Sequence, residues 1–195
     1  MRIAVDQLRR KDGMTESRKE TAMEVMAAET DRLERLAKEF ADFGRLPEGP
    51  PSEVDLVELL EELGRTNVPD GVAVRLTANG GPRTIVGHYE PLRRAFANLY
   101  RNASEAMHGT GALDVTVTGD GAGLAVTIAD HGPGIPADLR QRIFEPYFTT
   151  KRDGTGLGLA LVRVTLEAHR GTIAVSETPG GGATFAIVFP PVSGS

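Results

Sequence analysis

The sequence predicts an α+β fold, a mixed sheet carrying helices on one face, preceded by a partial helical hairpin. Three observations predict it. Segments with period-two alternation, such as Leu113 to Thr118 and Leu124 to Ala129, stand beside a long helical stretch from Pro91 to about Met107. The run Leu46-Pro-Glu-Gly-Pro-Pro-Ser52 separates this body from an N-terminal stretch whose apolar residues recur at threes and fours. The chain has 195 residues, 40% hydrophobic and 25% charged, which suits a globular domain with an appendage.

In chain order, Met1 to Lys11 reads as a short helical piece broken at Lys11-Asp12-Gly13. The next stretch runs to Gly44, with Met23, Met26, Thr30, Leu33, Ala37 and Phe40 forming a seam of the coiled-coil kind. One helix docked on the body would explain that stripe, but a helical hairpin that dimerises, half of a four-helix bundle, explains it better. This sets domain limits of 1–45 for the hairpin, 46–53 for the linker and 54–191 for the body. Val54 to Leu63 is expected to be helical with Ser52 as its cap, and Val72 to Leu76 and Thr84 to Val86 to be strands around Asn79-Gly80-Gly81-Pro82. Pro91 in a first turn opens the long helix. A hairpin follows around Gly119 to Gly123. Leu157 to His169 is the last helix, and Thr172 to Ser176 with Thr184 to Phe189 is a closing hairpin. Helices then cover one face of the sheet.

Composition limits the function. With no cysteine there is no disulfide framework, thiolate metal site or thiol nucleophile. A net charge of -5 argues against binding nucleic acid. No apolar run is long enough to span a bilayer, so a cytoplasmic location without membrane contact is expected, whatever anchors the parent protein.

Four short motifs carry the chemistry. Asn98-Leu-Tyr-Arg-Asn102-Ala-Ser-Glu-Ala106 puts two carboxamides on one helical face, neutral oxygens suited to Mg²⁺; by itself, tying the helix to a loop would explain them as well. Asp130-His-Gly132-Pro-Gly134-Ile135 ends a strand. Its glycines allow close backbone approach, Ile135 can plug the core, and Asp130 can accept from an exocyclic amine or close a local turn. Ile143-Phe-Glu-Pro-Tyr-Phe-Thr-Thr-Lys151 is an aromatic anchor ending in a cation. Gly154-Thr155-Gly156-Leu157-Gly158-Leu159 opens a helix, where unobstructed N–H groups make an anion cradle. It lacks the lysine of a P-loop and does not follow a strand directly, as a dinucleotide fingerprint should.

In this order and spacing the four motifs resemble the N, G1, F and G2 boxes of sensor histidine kinases, members of the GHKL ATP-binding superfamily. The resemblance covers Val54 to Pro190. It implies a Bergerat-type sandwich that binds ATP and Mg²⁺. Asn102, assisted by Asn98, would meet the metal, and Asp130 the adenine amine, with Gly132, Gly134 and Ile135 beside the base. Lys151 and the backbone of Gly154 to Leu159 would hold phosphates, Thr184 would lie near the adenine, and Pro136 to Gly154 would form a lid. The resemblance also implies transfer of the γ-phosphate to a histidine, relay to the receiver domain of a response regulator, and a homodimer through the hairpin. Chaperone-like ATPases of the superfamily carry a glutamate base where Asn98 stands, which favours kinase over ATPase or a nucleotide-gated regulatory module. Met1 to Arg10 resembles the segment just after the H-box of nitrogen-regulation-type kinases. The phosphoacceptor histidine is therefore expected upstream of Met1, the hairpin dimer weakened, and His88, His108, His131 and His169 structural.

Overall fold

The computed structural model describes residues 19–30, 33–34, 49–120, 123–151 and 154–191. The chain divides into two compact units, Met1–Arg45 with Lys151–Thr155, and Leu46–Thr150 with Gly156–Ser195. The helical piece Met1 to Lys11, the break at Gly13, Ala37, Phe40, the stop at Gly44 and the linker from Leu46 to Glu48 lie outside the described residues.

In the first unit residues 19–30 are helical, and Thr30 Oγ1 donates back to the Met26 carbonyl at 2.8 Å. Ala22 is buried and Met26 half-buried, whereas Met23 and Leu33 of the expected seam are 58% and 52% exposed. An amphipathic stripe is buried only where another element lies on it.

The second unit opens with strand β1 (Ser52–Asp55), then α1 (Leu56–Thr66), β2 (Val72–Gly80), β3 (Thr84–Gly87) and the long helix α2 (Tyr89–Ala106). The hairpin β4 (Gly111–Asp120) and β5 (Gly123–Asp130), a short 3-10 turn at Arg142–Phe144, α3 (Gly158–Ala168), β6 (Thr172–Glu177) and β7 (Ala183–Phe189) complete it. The expected start of α1 needs correcting. Ser52 does not cap a helix, because Ser52–Asp55 pairs antiparallel with Thr84–Gly87 and that ladder keeps it extended. Asp55 is the cap, its carboxylate accepting from the N–H groups of Val57 at 2.8 Å and Glu58 at 3.2 Å. Leu56, Leu59, Leu60 and Leu63 then bury one helical stripe.

The main sheet has the order β2-β4-β5-β7-β6, parallel between β2 and β4 and antiparallel elsewhere. Leu113, Val115 and Val117 of β4, Leu124, Val126 and Ile128 of β5, and Phe185, Ile187 and Phe189 of β7 all face the core. Phe96, Leu99 and Tyr100 of α2 pack into the same core, and Tyr100 donates its hydroxyl to the Leu60 carbonyl at 3.1 Å. Burial raises the Tyr100 pKa above its ordinary value. Each such side chain contributes about 1.5–3 kcal/mol relative to exposure. Of the opposite row of the sheet, Thr116, Thr127 and Ala186 are half-exposed and Ala174 is exposed. The sheet is therefore a one-sided platform.

His169, just past α3, joins two elements. Its Nε2 accepts the His88 N–H at 2.9 Å and its Nδ1 donates to the Thr165 carbonyl at 2.7 Å, which assigns the proton to Nδ1. Gly87 leaves room for the ring, since a Cβ there would stand 2.5 Å from Cδ2. Burial holds the imidazole pKa below its ordinary value, against the opposing pull of the Thr165 carbonyl. This histidine is structural, as its sequence position suggests.

Candidate functional site

Asp130 is the last residue of the central strand β5. Period-two alternation puts it on the same face as Leu124, Val126 and Ile128, so its carboxylate is turned under the helices and is 3% exposed. Oδ1 accepts the Gly132 N–H at 2.9 Å, the local turn, and the Ala183 N–H of β7 at 3.1 Å. Oδ2 has no partner among the described residues. A buried carboxylate held by one oxygen leaves the other as a directed acceptor, because desolvation makes an unused oxygen costly without a donor.

Glycines bring three backbones together around it. A Cβ on Gly182, whose φ is +112°, would stand 1.9 Å from the Asp130 carbonyl oxygen, and one on Gly134, at φ +76°, would stand 2.9 Å from that of Gly182. A Cβ on Gly132 would meet the Ala106 carbonyl at 3.1 Å, which places the end of α2 beside the turn. Ile135 packs half-buried on the core. Thr184 follows one residue into β7. Register sets it opposite Ala129, its side chain on the face away from Asp130, where its hydroxyl shares a 2.8 Å hydrogen bond with Thr178. The segment reaches Asp130 through the Ala183 N–H and the Gly182 backbone instead. The triple glycine Gly180 to Gly182 carried that signal in the sequence.

At the other end, Gly158 begins α3 with Leu157 at its cap, and no side chain caps the helix N-terminus. A helix N-terminus presents first-turn N–H groups and the positive end of the helix dipole. A Cβ on Gly158 would lie 3.8 Å from Nη2 of Arg101 and 3.9 Å from Oδ1 of Asn98, so this end of α3 sits against the asparagine face of α2. Asn98 is 9% exposed, and its oxygen accepts from Arg101, a residue the sequence reading did not single out. Asn102 follows one turn later, half-buried. Leu157 is buried and Leu159 packs on the core. Gly156, at φ +72°, gives its carbonyl to the Tyr147 N–H at 3.0 Å, and Tyr147 itself adopts φ 67°. Ile143 and Phe144 anchor the intervening segment, Phe144 edge-on to Phe185 at 6.4 Å. Lys151, Gly154 and Thr155 belong to the first unit, where the Gly154 N–H closes a turn onto the Lys151 carbonyl at 3.2 Å. Asn98, Asn102, Asp130, Gly132, Gly134, Ile135 and Gly156 to Leu159 all belong to the second unit.

The family described as histidine kinase-, DNA gyrase B-, and HSP90-like ATPase matches residues 87–193. The chain belongs to this family. It is 38% identical to the sensor histidine kinase ZraS of Escherichia coli K12 over 171 residues, 86% of this chain and 37% of that one. It is 32% identical to sporulation kinase A of Bacillus subtilis, over 86% of this chain and 28% of that one. The chain therefore spans 37% and 28% of the length of these two relatives. Among solved structures, the mycobacterial sensor histidine kinase MprB superposes with a TM-score of 0.64 at 28% identity, over 72% of this chain and 97% of that one. Full-length ShkA in complex with AMPPNP gives 0.68 at 25% identity, over 97% of this chain and 43% of that one. The body is thus the Bergerat-type sandwich of sensor-kinase ATPase domains. No helix among the described residues is long and apolar enough to cross a membrane.

Proposed function

We propose that this domain binds Mg·ATP and passes the γ-phosphoryl group to a histidine imidazole on a helical hairpin, leaving ADP, for relay to an aspartate of a response-regulator receiver domain. One observation carries the nucleotide reading. Asp130, buried and held by Oδ1 alone, offers Oδ2 as an acceptor, the complement of an adenine amino group and not of the guanine carbonyl at the same ring position. Gly132 and Gly134 let a flat base approach the backbone beside it, and Ile135 gives it an apolar neighbour.

The N-terminus of α3, from Gly156 to Leu159, would hold phosphates. The resemblance to sensor kinases adds Lys151, Gly154 and Thr155 to that role, with Pro136 to Gly154 as a lid. The carboxamides of Asn102 and Asn98 fit a phosphate-bound cation, being neutral hard oxygens beside that N-terminus. Mg²⁺, when bound there, neutralises phosphate charge and steadies the transferring group. The chain's own residues then position and shield, and supply no covalent intermediate. Homology to sensor histidine kinases supports the kinase reading, and the exposed Met23 and Leu33 are residues a second hairpin would cover.

The test is radiolabelled γ-phosphate, offered to this chain with and without an intact histidine-bearing hairpin of a close relative. His169 is locked between His88 and Thr165, and His131 shares a 2.7 Å hydrogen bond with Asp114, so no acid-labile label is expected on this chain alone. Label is expected on the added hairpin. Steady ATP hydrolysis with no labelled histidine would instead show an ATPase, and failure to bind nucleotide a regulatory module.

A further inference from the structure

Beyond Asp130 the chain leaves the sheet. The β4–β5 ladder ends at the pair Asp130–Leu113, and the β5–β7 ladder one residue earlier, at Ala129–Thr184. Of the next four residues, His131, Gly132, Pro133 and Gly134, only His131 has a side chain able to hydrogen-bond. Alternation sends it to the face opposite the Asp130 carboxylate. There its Nε2 donates to Oδ2 of Asp114 on β4 at 2.7 Å, since a carboxylate only accepts. Oδ1 of Asp114 stands 3.6 Å from Nη1 of Arg75, the β2 residue paired with it in register. Three side chains thus cross the open face of the sheet, from β2 through β4 to the residue that follows β5. On the other face Asp130 is turned under the helices, held by Oδ1.

We propose that His131 is a positioning residue for base recognition. A strand end with no ladder beyond it can turn about its own axis, and such a turn swings Asp130 and His131 together in opposite directions. A Cβ on Gly182 would stand 2.9 Å from the His131 Cα, so displacement is already restricted and rotation is the freedom left. Pinning His131 to Asp114 on the outer face removes that rotation and fixes the direction in which Oδ2 of Asp130 meets the base. The proposal rests on Asp130 as the reader of the adenine amine. With the two side chains 42% and 38% exposed, the pair adds little to stability, and its effect lies in the aim of its neighbour.

Calorimetry on the whole chain tests this with two nucleotides, ATP and purine riboside triphosphate, which lacks only the amino group. Their affinity ratio reads the contact between Asp130 and the amine. His131→Ala should lower that ratio about threefold to tenfold by weakening ATP alone, the worth of one hydrogen bond. His131→Phe keeps a ring without the donor and should do the same. His131→Gln restores an N–H donor and should recover the ratio. In an Asp130→Asn background His131→Ala should change nothing further, because the two residues act through one contact. An unchanged ratio in His131→Ala, equal losses of both nucleotides, or a glutamine variant no better than phenylalanine would each overturn the assignment. So would a loss that multiplies with that of Asp130→Asn. A ratio near one in the unmodified chain would instead show that Asp130 does not read the amine, and the base reading would fall with this proposal.

Discussion

The two ends of the site are built by different means. Around Asp130 the backbone is paired with Leu113 of β4, the carboxylate accepts from the Ala183 N–H of β7, and glycines bring the neighbouring turns into contact. Around Gly156 to Leu159 no strand takes part. The loop is held by the Tyr147–Gly156 hydrogen bond between two residues of positive φ, and Lys151 to Thr155 belong to the other compact unit. In the proposed nucleotide site a base-recognition end made of sheet would be set when the domain folds, and a phosphate end made of loop would be completed when the ligand arrives. A pocket that must choose its base gains from rigidity at one end, and one that must admit and release phosphates gains from freedom at the other.

The sharpest way to break this comparison is to add one methyl at each end. Gly182→Ala puts a Cβ 1.9 Å from the Asp130 carbonyl oxygen at a φ of +112°, and ladders on either side prevent relief. We expect a stability loss of about 3 kcal/mol or more, read as a large fall in Tm. Asp130→Asn comes next. One amide oxygen can keep the bonds from Gly132 and Ala183, but an N–H₂ then faces the adenine amine. ATP affinity should fall tenfold to about a hundredfold, with preference over GTP lost and Tm little changed. Equal binding of ATP and GTP by the unmodified chain would show that Asp130 does not read the base.

Gly156→Ala is the counterpart at the loop end. Its Cβ would stand 2.4 Å from the Tyr147 carbonyl carbon, but Tyr147 is 68% exposed and its loop can shift. We expect a stability loss of only about 1 kcal/mol, with a greater effect on nucleotide affinity. A Tm loss equal to that of Gly182→Ala would mean that both ends are equally rigid. Hydrogen exchange sharpens the same contrast. The amides of Ile143 and Phe144 should be protected throughout, and those of residues 145–151 only with nucleotide.

The smallest effect concerns His169, remote from either choice. Its folded pKa lies below the unfolded value near 6.5, so the unfolded chain binds the extra proton first. Stability is full above that unfolded value and declines as pH falls from about 6.5 through the folded pKa. Tm should therefore drop on acidification, with a shallower slope in His169→Gln, while selectivity for ATP is unaltered.

Much of this was legible in the sequence, because period, punctuation and motif are local properties. The hairpin β4–β5, the long α2, the closing hairpin, Asp130 at its strand end and the glycine-rich start of α3 all follow from residues a few positions apart. The resemblance to sensor kinases follows from the order and spacing of four such segments. What the sequence could not supply were pairings between distant segments. Ser52–Asp55 is extended because Thr84–Gly87 lies beside it, which moved the helix cap from Ser52 to Asp55. Thr184 faces away from Asp130 because its register is counted against Ala129, and a shift of one residue reverses a side chain's face. Arg101 was visible between the two asparagines, but its hold on Asn98 depends on rotamers and on the approach of Gly158 across the α2–α3 contact. Local chemistry determined which groups this chain could offer a nucleotide. Long-range packing decided which oxygen is open and which is already taken, because burial and hydrogen-bond competition exist only once the segments meet.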